Sequence, residues 1–343
     1  MTITLIGVDG ATRSVAGTTA VVDAMELSEV TGWALKPQGL CRGAVCVPLL
    51  DRKVDAGAGE IDLAEWAAAL GYLIAVDVEH SVVALAPAAP CGASVEVGSL
   101  APDVELPGID GNSHSLAEFA GRKRVLVTWA SWCGCRHELG AWRELQDELG
   151  PAGLSIFSVA LDNSVEDARP WIEAGQPSYP VVIDSAHVTA ERFGITNVPS
   201  TVWIDEGGRI VKPPTISPGD DQFRDFTKID SAAHHEAMRR WVSEDVVPDP
   251  TAVAVTVRSE DEQLALAERR LGAWLQGQGY VDAAAEHLAR AVELAPWDWT
   301  VRRASIALRG GDPFLGAEFI DFWQEWDAAG RPGYQAMRPG AEG

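Results

Sequence analysis

Between residues 97 and 245, short apolar runs alternate with segments of helical spacing, and this alternation restricts the possible folds more than any other feature of the chain. The predicted strands are 125–129, 155–161 and 180–183, and the predicted helices are 135–149, 165–174 and 188–193. A hairpin at 200–211, with Gly207 and Gly208 in its turn, and a last helix at 231–243 follow. Together they predict an α/β domain with a central sheet flanked by helices.

Two proline-containing segments, 86–92 and 246–251, divide the chain into three parts. Residues 1–90 mix short strands with a helix at 63–70, which predicts an α+β domain. Residues 252–343 carry apolar residues at three- and four-residue spacing. This spacing predicts an all-α domain with helices at 262–278, 281–295, 299–309 and 314–328.

The first two of these C-terminal helices resemble a tetratricopeptide repeat, a unit of two packed helices. The matching positions are Gly272, Leu275, Gly279, Ala284, Leu288, Ala291 and Pro296. Small residues at such positions let two helices approach closely. A groove for a protein partner and a purely structural support role are both open readings of this region.

The composition limits the classes of partner. The chain has 343 residues, of which 47% are hydrophobic, and a net charge of −23, so it is typical of an acidic globular protein. Nucleic acids and anionic membrane surfaces would repel this charge, and neither is expected as a partner. The N-terminal residues lack a basic segment before their apolar run, and no apolar stretch is long enough to span a membrane, so we expect a cytoplasmic protein.

The cysteines are the candidate reactive groups. Five are present, Cys41, Cys46, Cys91, Cys133 and Cys135, too few for a disulfide scaffold in a chain of this length. In a reducing compartment, closely spaced cysteines indicate redox work or metal binding. Cys133 and Cys135 lie where a predicted strand turns into a predicted helix, and the N-terminus of a helix favours the reactive thiolate. Arg136 would add positive potential there.

The run from Trp129 to Glu138, Trp-Ala-Ser-Trp-Cys-Gly-Cys-Arg-His-Glu, resembles the active-site segment of the thioredoxin superfamily. The resemblance is to the TlpA/ResA-like thiol–disulfide oxidoreductases and the AhpC/TSA-related redoxins. Residues 98–103 resemble the lead-in of redoxins, and 198–201 resemble the cis-proline loop of the family. The similarity extends over about residues 97–245, less than half of the chain.

This resemblance implies a thioredoxin-like redox domain at 97–246 that exchanges disulfides with a protein or a low-molecular-weight thiol or disulfide partner. Cys133 would attack the substrate, Cys135 would resolve the mixed disulfide, and a cis Pro199 would shape the substrate groove. The supporting residues would be Trp132, Arg136, Glu138 and Val198. No cofactor is implied. Glu138 is interpreted mainly as a charge that stabilises the start of the helix, with proton relay as a minor alternative.

The sequence departs from the family pattern in two places. One residue is missing between the cysteines, which makes the motif Cys-x-Cys. If both cysteines lay inside the helix they would point to different faces, whereas a Cys133 just before the helix could reach Cys135. Val127 occupies the position of the buried acid that thioredoxin carries on the preceding strand.

Other functions stay open at this point. Cys135 could act as the reactive cysteine of a peroxiredoxin-like peroxide reductase, or the domain could be a non-catalytic scaffold that binds a protein. Cys41 and Cys46 could form a second redox pair, hold a soft metal ion or be ordinary buried side chains. No metal site is expected at Cys133 and Cys135. A closed zinc site needs four ligands, and the sequence shows no evident fourth ligand near Cys133, Cys135 and His137.

Overall fold

The computed structural model describes residues 1–88, 95–248 and 257–334. It divides the chain into two compact units, which are described separately. The first unit comprises Met1–Pro90 and Arg258–Pro296, and the second comprises Cys91–Val257 and Trp297–Gly343. Cys91 and most of the two predicted proline-containing boundaries lie outside the described residues.

The N-terminal residues form ten short strands and two helices. The strands are β1 (Thr2–Ile6), β2 (Thr12–Ala16), β3 (Val21–Asp23), β4 (Ala34–Lys36), β5 (Gly39–Arg42), β6 (Val45–Val47), β7 (Asp55–Gly57), β8 (Glu60–Asp62), β9 (Tyr72–Asp77) and β10 (Val82–Pro87). The helices are α1 (Ala24–Thr31) and α2 (Leu63–Ala69). Strands β2-β1-β10-β9 form one sheet, in which β1 and β10 are parallel, and β3-β8-β7 and β4-β5-β6 form two smaller sheets. The predicted mixture of short strands with a helix near 63–70 is found here.

The central residues form seven strands and five helices. The strands are β11 (Glu105–Pro107), β12 (Ser113–Ser115), β13 (Lys123–Trp129), β14 (Leu154–Ala160), β15 (Val181–Ile183), β16 (Ser200–Ile204) and β17 (Ile210–Ile216). The helices are α3 (Leu139–Leu149), α4 (Val165–Gly175), α5 (Val188–Phe193), α6 (Arg224–Thr227) and α7 (Ser231–Glu244). The C-terminal residues form α8 (Glu260–Gln278), α9 (Val281–Leu294), α10 (Trp299–Leu308) and α11 (Ala317–Ala328).

The central sheet of the second unit has the order β15-β14-β13-β16-β17. Strands β13, β14 and β15 are parallel, while β16 and β17 run antiparallel to their neighbours. Every residue of β13 and β14 is buried, as expected for inner strands covered on both faces. The sheet carries the end of β13 and the start of β16 to neighbouring positions, because these strands are paired up to Thr128 and Ser200.

The C-terminal region is all-helical, as predicted, but its helices are divided between the two units. Helices α8 and α9 pack on each other, and α8 packs on β9 and β10 of the first unit. Arg270 of α8 is buried there and donates a hydrogen bond of 2.8 Å to the carbonyl of Leu85. Helices α10 and α11 belong to the second unit. This arrangement differs from one helical domain over 252–343, because each helix pair buries its apolar face within a different unit.

The close approach of α8 and α9 depends on Gly272. A Cβ atom at this position would lie 2.8 Å from Cγ of Leu288 and 3.2 Å from the carbonyl oxygen of Ala284. The predicted role of small residues in this helix pair is therefore visible in the packing, while the tetratricopeptide relationship itself stays a prediction. None of the helices in the described ranges has the length and apolar character needed to cross a bilayer.

We expect Gly272→Ala to destabilise the first unit by about 1–3 kcal/mol, because the added methyl group overpacks the contact with Leu288. Gly277→Ala is the matched control, since a Cβ atom at Gly277 of the same helix meets no atom within 4 Å. This control should be neutral or more stable by up to about 1 kcal/mol, because alanine favours the helix. Urea unfolding of both variants measures the difference, and equal stabilities would contradict the packing account.

Candidate active site

The two cysteines of the second unit lie between the end of β13 and the start of α3. Cys133 has an extended backbone and caps a single 3₁₀ turn at Gly134–His137, and α3 begins only at Leu139. The predicted helix from residue 135 therefore starts with this short turn. Cys133 precedes the turn and its sulfur accepts a hydrogen bond of 3.4 Å from the backbone N–H of Cys135. This is the arrangement in which the two sulfurs can meet.

The loop before β16 lies directly beside Cys133. The Val198–Pro199 peptide bond is cis, as the resemblance implied. The Cys133 thiol donates a hydrogen bond of 3.5 Å to the carbonyl of Val198. Both Cys133 and Cys135 are free thiols and both are buried. The predicted site residues Cys133, Cys135, Val198 and Pro199 line the same cavity.

The surroundings shift the pKa values of the two thiols in opposite directions. Burial alone would raise the pKa of Cys133, but a hydrogen bond from Cys135 and the positive charges of Arg303 and Arg136 lower this pKa to about 6. Burial raises the pKa of Cys135 well above its ordinary value, and the charge of Cys133 raises it further. Cys133 is therefore the thiol that loses its proton more readily, and Cys135 is the one that holds its proton more tightly.

Arg303 of α10 is the cation that offsets the buried charge of Cys133. Its positive charge is one of the causes of the lowered pKa of Cys133, and its Nε donates a hydrogen bond of 2.7 Å to the carbonyl of Pro313. The guanidinium also lies 4.1 Å from the centre of the Phe319 ring. Arg303 is only 5% exposed, so solvent screens its charge very little. This residue lies far from the cysteine motif in the sequence and was missed by motif analysis.

Glu138 is a buried acid rather than an exposed charge at the helix start. It is 2% exposed and makes no capping hydrogen bond with its side chain to α3. Its carboxylate instead accepts a hydrogen bond of 2.7 Å from the backbone N–H of Gly219. Burial raises the pKa of Glu138 well above its ordinary value, and the charge of Cys133 contributes to this rise. The role of Glu138 as a helix-stabilising charge stays a prediction, and its burial beside Cys133 was not expected from the sequence.

Asp162 is a second buried acid near the cysteine loop. Its carboxylate accepts hydrogen bonds from the backbone N–H and the hydroxyl of Ser131. Burial raises the pKa of Asp162 to about 7, although these hydrogen bonds oppose the rise. Val127 is apolar and buried, as expected, so the acids around this site come from other positions than the strand preceding the cysteines.

Trp132 and Arg136 hold the cysteine loop in place. The indole N–H of Trp132 donates a hydrogen bond of 2.9 Å to the carbonyl of Leu161. Arg136 donates one of 2.8 Å to the carbonyl of Ser131, and its guanidinium lies 4.0 Å from the centre of the Trp171 ring. These contacts fix the position of the loop, while the supporting roles of both residues in the chemistry stay predictions.

A cavity of about 370 Å³ opens at the two cysteines, and we call it the aromatic pocket. Its walls come from the loop at 197–199, from residues 216–227 and from the C-terminal part of the second unit. Eight aromatic side chains line it: Phe223, Phe226, Trp299, Phe314, Phe319, Trp323, Trp326 and Tyr334. Arg303 and Glu138 also line the pocket, and their charges affect the pKa values of the two thiols. None of the C-terminal ring residues had been singled out from the sequence.

Cys41 and Cys46 belong to the first unit and form a disulfide. They are directly opposite each other on the antiparallel strands β5 and β6, with Cα atoms 4.1 Å apart. Cys41 is buried and Cys46 is exposed. Their exchange with the pair at Cys133 and Cys135 stays a prediction. In the described ranges, no group of three or more His, Cys, Asp or Glu side chains is arranged to hold a metal ion.

Comparison with known proteins places the site in a family context. The AhpC/TSA family profile matches residues 97–212. These residues form an AhpC/TSA redoxin domain. The thiol-disulfide oxidoreductase ResA of Geobacillus thermodenitrificans is 29% identical over 173 residues, which cover 50% of this chain and 89% of that protein. The thioredoxin-like protein YneN of Bacillus subtilis is 29% identical over 119 residues, which cover 34% of this chain and 69% of that protein.

Among solved structures, the thioredoxin domain of a thiol-disulfide oxidoreductase from Bacteroides vulgatus is 27% identical, with a TM-score of 0.34. The match covers 39% of this chain and 98% of that chain. The family profile and the sequence relatives confirm three predictions: the resemblance to redoxins, the thioredoxin-like fold class and the classification as an oxidoreductase. The matched profile ends before Phe223 and Arg303, so these two residues of the pocket lie outside it.

We expect the thiolate of Cys133 to titrate with a midpoint near pH 6, because its pKa is lowered to about 6. Arg303→Met should raise this midpoint by about one pH unit or more, since the charge opposite the thiolate is removed. Both midpoints are measured from the ultraviolet absorbance of the thiolate as a function of pH, after the absorbance of the Cys133→Ser variant has been subtracted. Arg309→Met is the control, because Arg309 pairs with Glu318 and should leave the midpoint unchanged. A midpoint near the ordinary value of about 8.5 in the unaltered protein would contradict this electrostatic account.

Proposed function

We propose that this protein is a thiol–disulfide oxidoreductase that acts through the Cys-x-Cys pair, with Cys133 as the nucleophile. The observation that carries the proposal is the difference between the two thiols. The pKa of Cys133 is lowered to about 6 and its sulfur lies beside the cis Val198–Pro199 bond, whereas the pKa of Cys135 is raised. A nucleophile and a protonated resolving thiol are what disulfide exchange requires.

In the proposed reaction, the Cys133 thiolate attacks one sulfur of a substrate disulfide. A mixed disulfide forms between Cys133 and this sulfur, the substrate S–S bond breaks, and the other half leaves as a thiolate. The sulfur of Cys135 then attacks Cys133, which releases the second half. The proton of Cys135 goes to a departing thiolate, and two electrons pass from the cysteine pair to the substrate. An external dithiol is needed to reduce the pair again.

The structure supplies a reason for this order of events. The charge of Cys133 is one cause of the raised pKa of Cys135, and it also raises the pKa of Glu138. Formation of the mixed disulfide removes this charge, so both pKa values fall. Cys135 therefore becomes a better nucleophile only after Cys133 has reacted. Glu138, which also raises the pKa of Cys135, is positioned to influence when this proton is lost.

The two alternative functions receive less support from the site. A peroxide reductase that uses Cys135 needs a thiolate at this position, but burial raises the pKa of Cys135 and the residue is only 3% exposed. A non-catalytic scaffold has no need for an arginine that offsets the charge of a buried thiolate. Binding of a protein partner by the C-terminal helices remains a separate proposal.

Trapping of the mixed disulfide tests the proposal. All variants carry Cys91→Ser, so that Cys133 and Cys135 are the remaining thiols outside the Cys41–Cys46 disulfide. With dithiodipyridine, the otherwise unaltered protein should release two thiopyridones for each protein molecule and end without a bound pyridine. Cys135→Ser should release one and keep a pyridyl group on Cys133, as measured by absorbance and mass spectrometry.

Cys133→Ser is the matched control, and its reaction should be slower by at least about 100-fold near pH 7, because burial, the largest cause of the raised pKa of Cys135, persists when the charge of Cys133 is removed. A stable pyridyl adduct on Cys135 in the presence of an intact Cys133 would contradict the assignment of the nucleophile. Rapid oxidation of Cys135 to a sulfenic acid by hydrogen peroxide, with no exchange at Cys133, would favour the peroxide reductase instead.

A further inference from the structure

The cysteine pair is reached through the aromatic pocket. Cys133 is 6% exposed and Cys135 is 3% exposed, and both line the pocket. Phe223 lies against the residue between them, because a Cβ atom on Gly134 would be 2.7 Å from the Phe223 ring. Since so little of either cysteine is exposed, a compact disulfide would reach the sulfurs more easily than a disulfide held in the surface of a folded protein. A small molecule inside the pocket would lie next to both thiols.

Four of the rings that line the pocket form two contacting pairs within the second unit. Phe223 contacts Phe314 edge-on with ring centres 6.2 Å apart, and Phe226 stacks on Trp323 at 5.3 Å. The first residue of each pair lies at 223–226, before the C-terminal helices, and the second lies on or just before α11. The enclosure is therefore built from two chain segments, both outside the residues that match the redoxin family.

The size and the chemistry of the pocket define what fits. Its volume of about 370 Å³ is in the range of small-molecule sites, which begins at about 300 Å³. Its walls are mainly apolar and aromatic, and aromatic walls favour ligands with flat, apolar groups. Leu315 and Ile320 also line the pocket although they are 71% and 41% exposed, so apolar surface continues to its rim.

We propose that the aromatic pocket binds a low-molecular-weight disulfide with apolar, aromatic substituents, and that this compound is the substrate of Cys133. The inference rests on the proposed function and specifies its substrate class. Cys133 would form a mixed disulfide with one half of the compound and release the other half as a thiolate. Attack by Cys135 would then release the second half and leave Cys133 and Cys135 oxidised.

The test compares two uncharged alkyl disulfides whose leaving thiols are of similar acidity, bis(phenylethyl) disulfide and bis(hydroxyethyl) disulfide. The reduced full-length protein with Cys91→Ser reacts with each in a single turnover, and each rate constant is divided by that of the same disulfide with free N-acetylcysteine. We expect the normalised rate constant to be larger for the phenylethyl compound by about tenfold or more, because its rings enter the apolar pocket. Insulin, as a protein disulfide, should be reduced more slowly than the phenylethyl compound.

Two rim variants connect any preference to the pocket. Ile320→Asn and Leu315→Asn should each reduce the preference for the phenylethyl compound by several-fold. Both residues are exposed, so these substitutions are compatible with the fold. Asp321→Asn is the matched control, because Asp321 is exposed and adjacent to Ile320 but is not part of the pocket wall. This control should keep the full preference.

The outcomes separate the two proposals. Equal normalised rates for both compounds, or faster reduction of insulin, would overturn the small-substrate assignment while leaving disulfide exchange by Cys133 intact. A preference that persists unchanged in both rim variants would also overturn it, because the preference would then arise elsewhere. If Cys133 exchanges with none of the three disulfides, the proposed function itself fails.

Discussion

The stabilisation of a buried thiolate at Cys133 is the interaction on which the proposed chemistry of the second unit depends. A thiolate removed from water is unstable unless nearby groups compensate its charge. At Cys133 this compensation comes from the hydrogen bonds of Cys135 and from Arg303, with a smaller contribution from Arg136. The same charge raises the pKa values of Cys135 and Glu138. The lowered pKa of one thiol and part of the rise in the pKa values of its neighbours, which burial also raises, are thus consequences of one electrostatic arrangement.

Two of the C-terminal helices contribute residues to the surroundings of the cysteines. Helix α10 carries Arg303 to the cysteines, and the rings on and near α11 enclose the space above them. The redoxin fold supplies the thiols and the cis-proline loop, whereas the later segments supply a counter-charge and an enclosure. Helices α8 and α9 are instead part of the first unit, where α8 covers a sheet. The helical tail is therefore used for two separate purposes.

Much of the site could be predicted because its residues lie in short motifs. Cys133, Cys135 and Pro199 were recognised from local patterns, and the alternation of strands and helices predicted the central sheet. The burial of Glu138 was not predicted, because an acid at the start of a helix is usually exposed to solvent. Its burial depends on the backbone around Gly219, a contact between residues far apart in the sequence. Glycine is needed at position 219, because a Cβ atom there would lie only 2.7 Å from Nε1 of Trp142 and 3.0 Å from Cβ of Glu138.

Arg303 and Phe223 could not be predicted for a related reason. An arginine in an amphipathic helix is usually a solvated side chain, and nothing in its neighbours signals burial beside a thiolate. Phe223 lies in an irregular segment without periodicity. The assignment of the four C-terminal helices to two different units could not be predicted either. The apolar spacing of a helix shows that one face is buried, but it does not show which element covers this face.

The most direct test of the central claim is to locate the disulfides by peptide mapping after mild oxidation and alkylation of the free thiols. The account predicts a bond between Cys133 and Cys135 that a dithiol reverses, with Cys41 and Cys46 bonded to each other. A sulfenic acid on Cys135, or a bond from either central cysteine to Cys41, Cys46 or Cys91 in place of the Cys133–Cys135 bond, would contradict it.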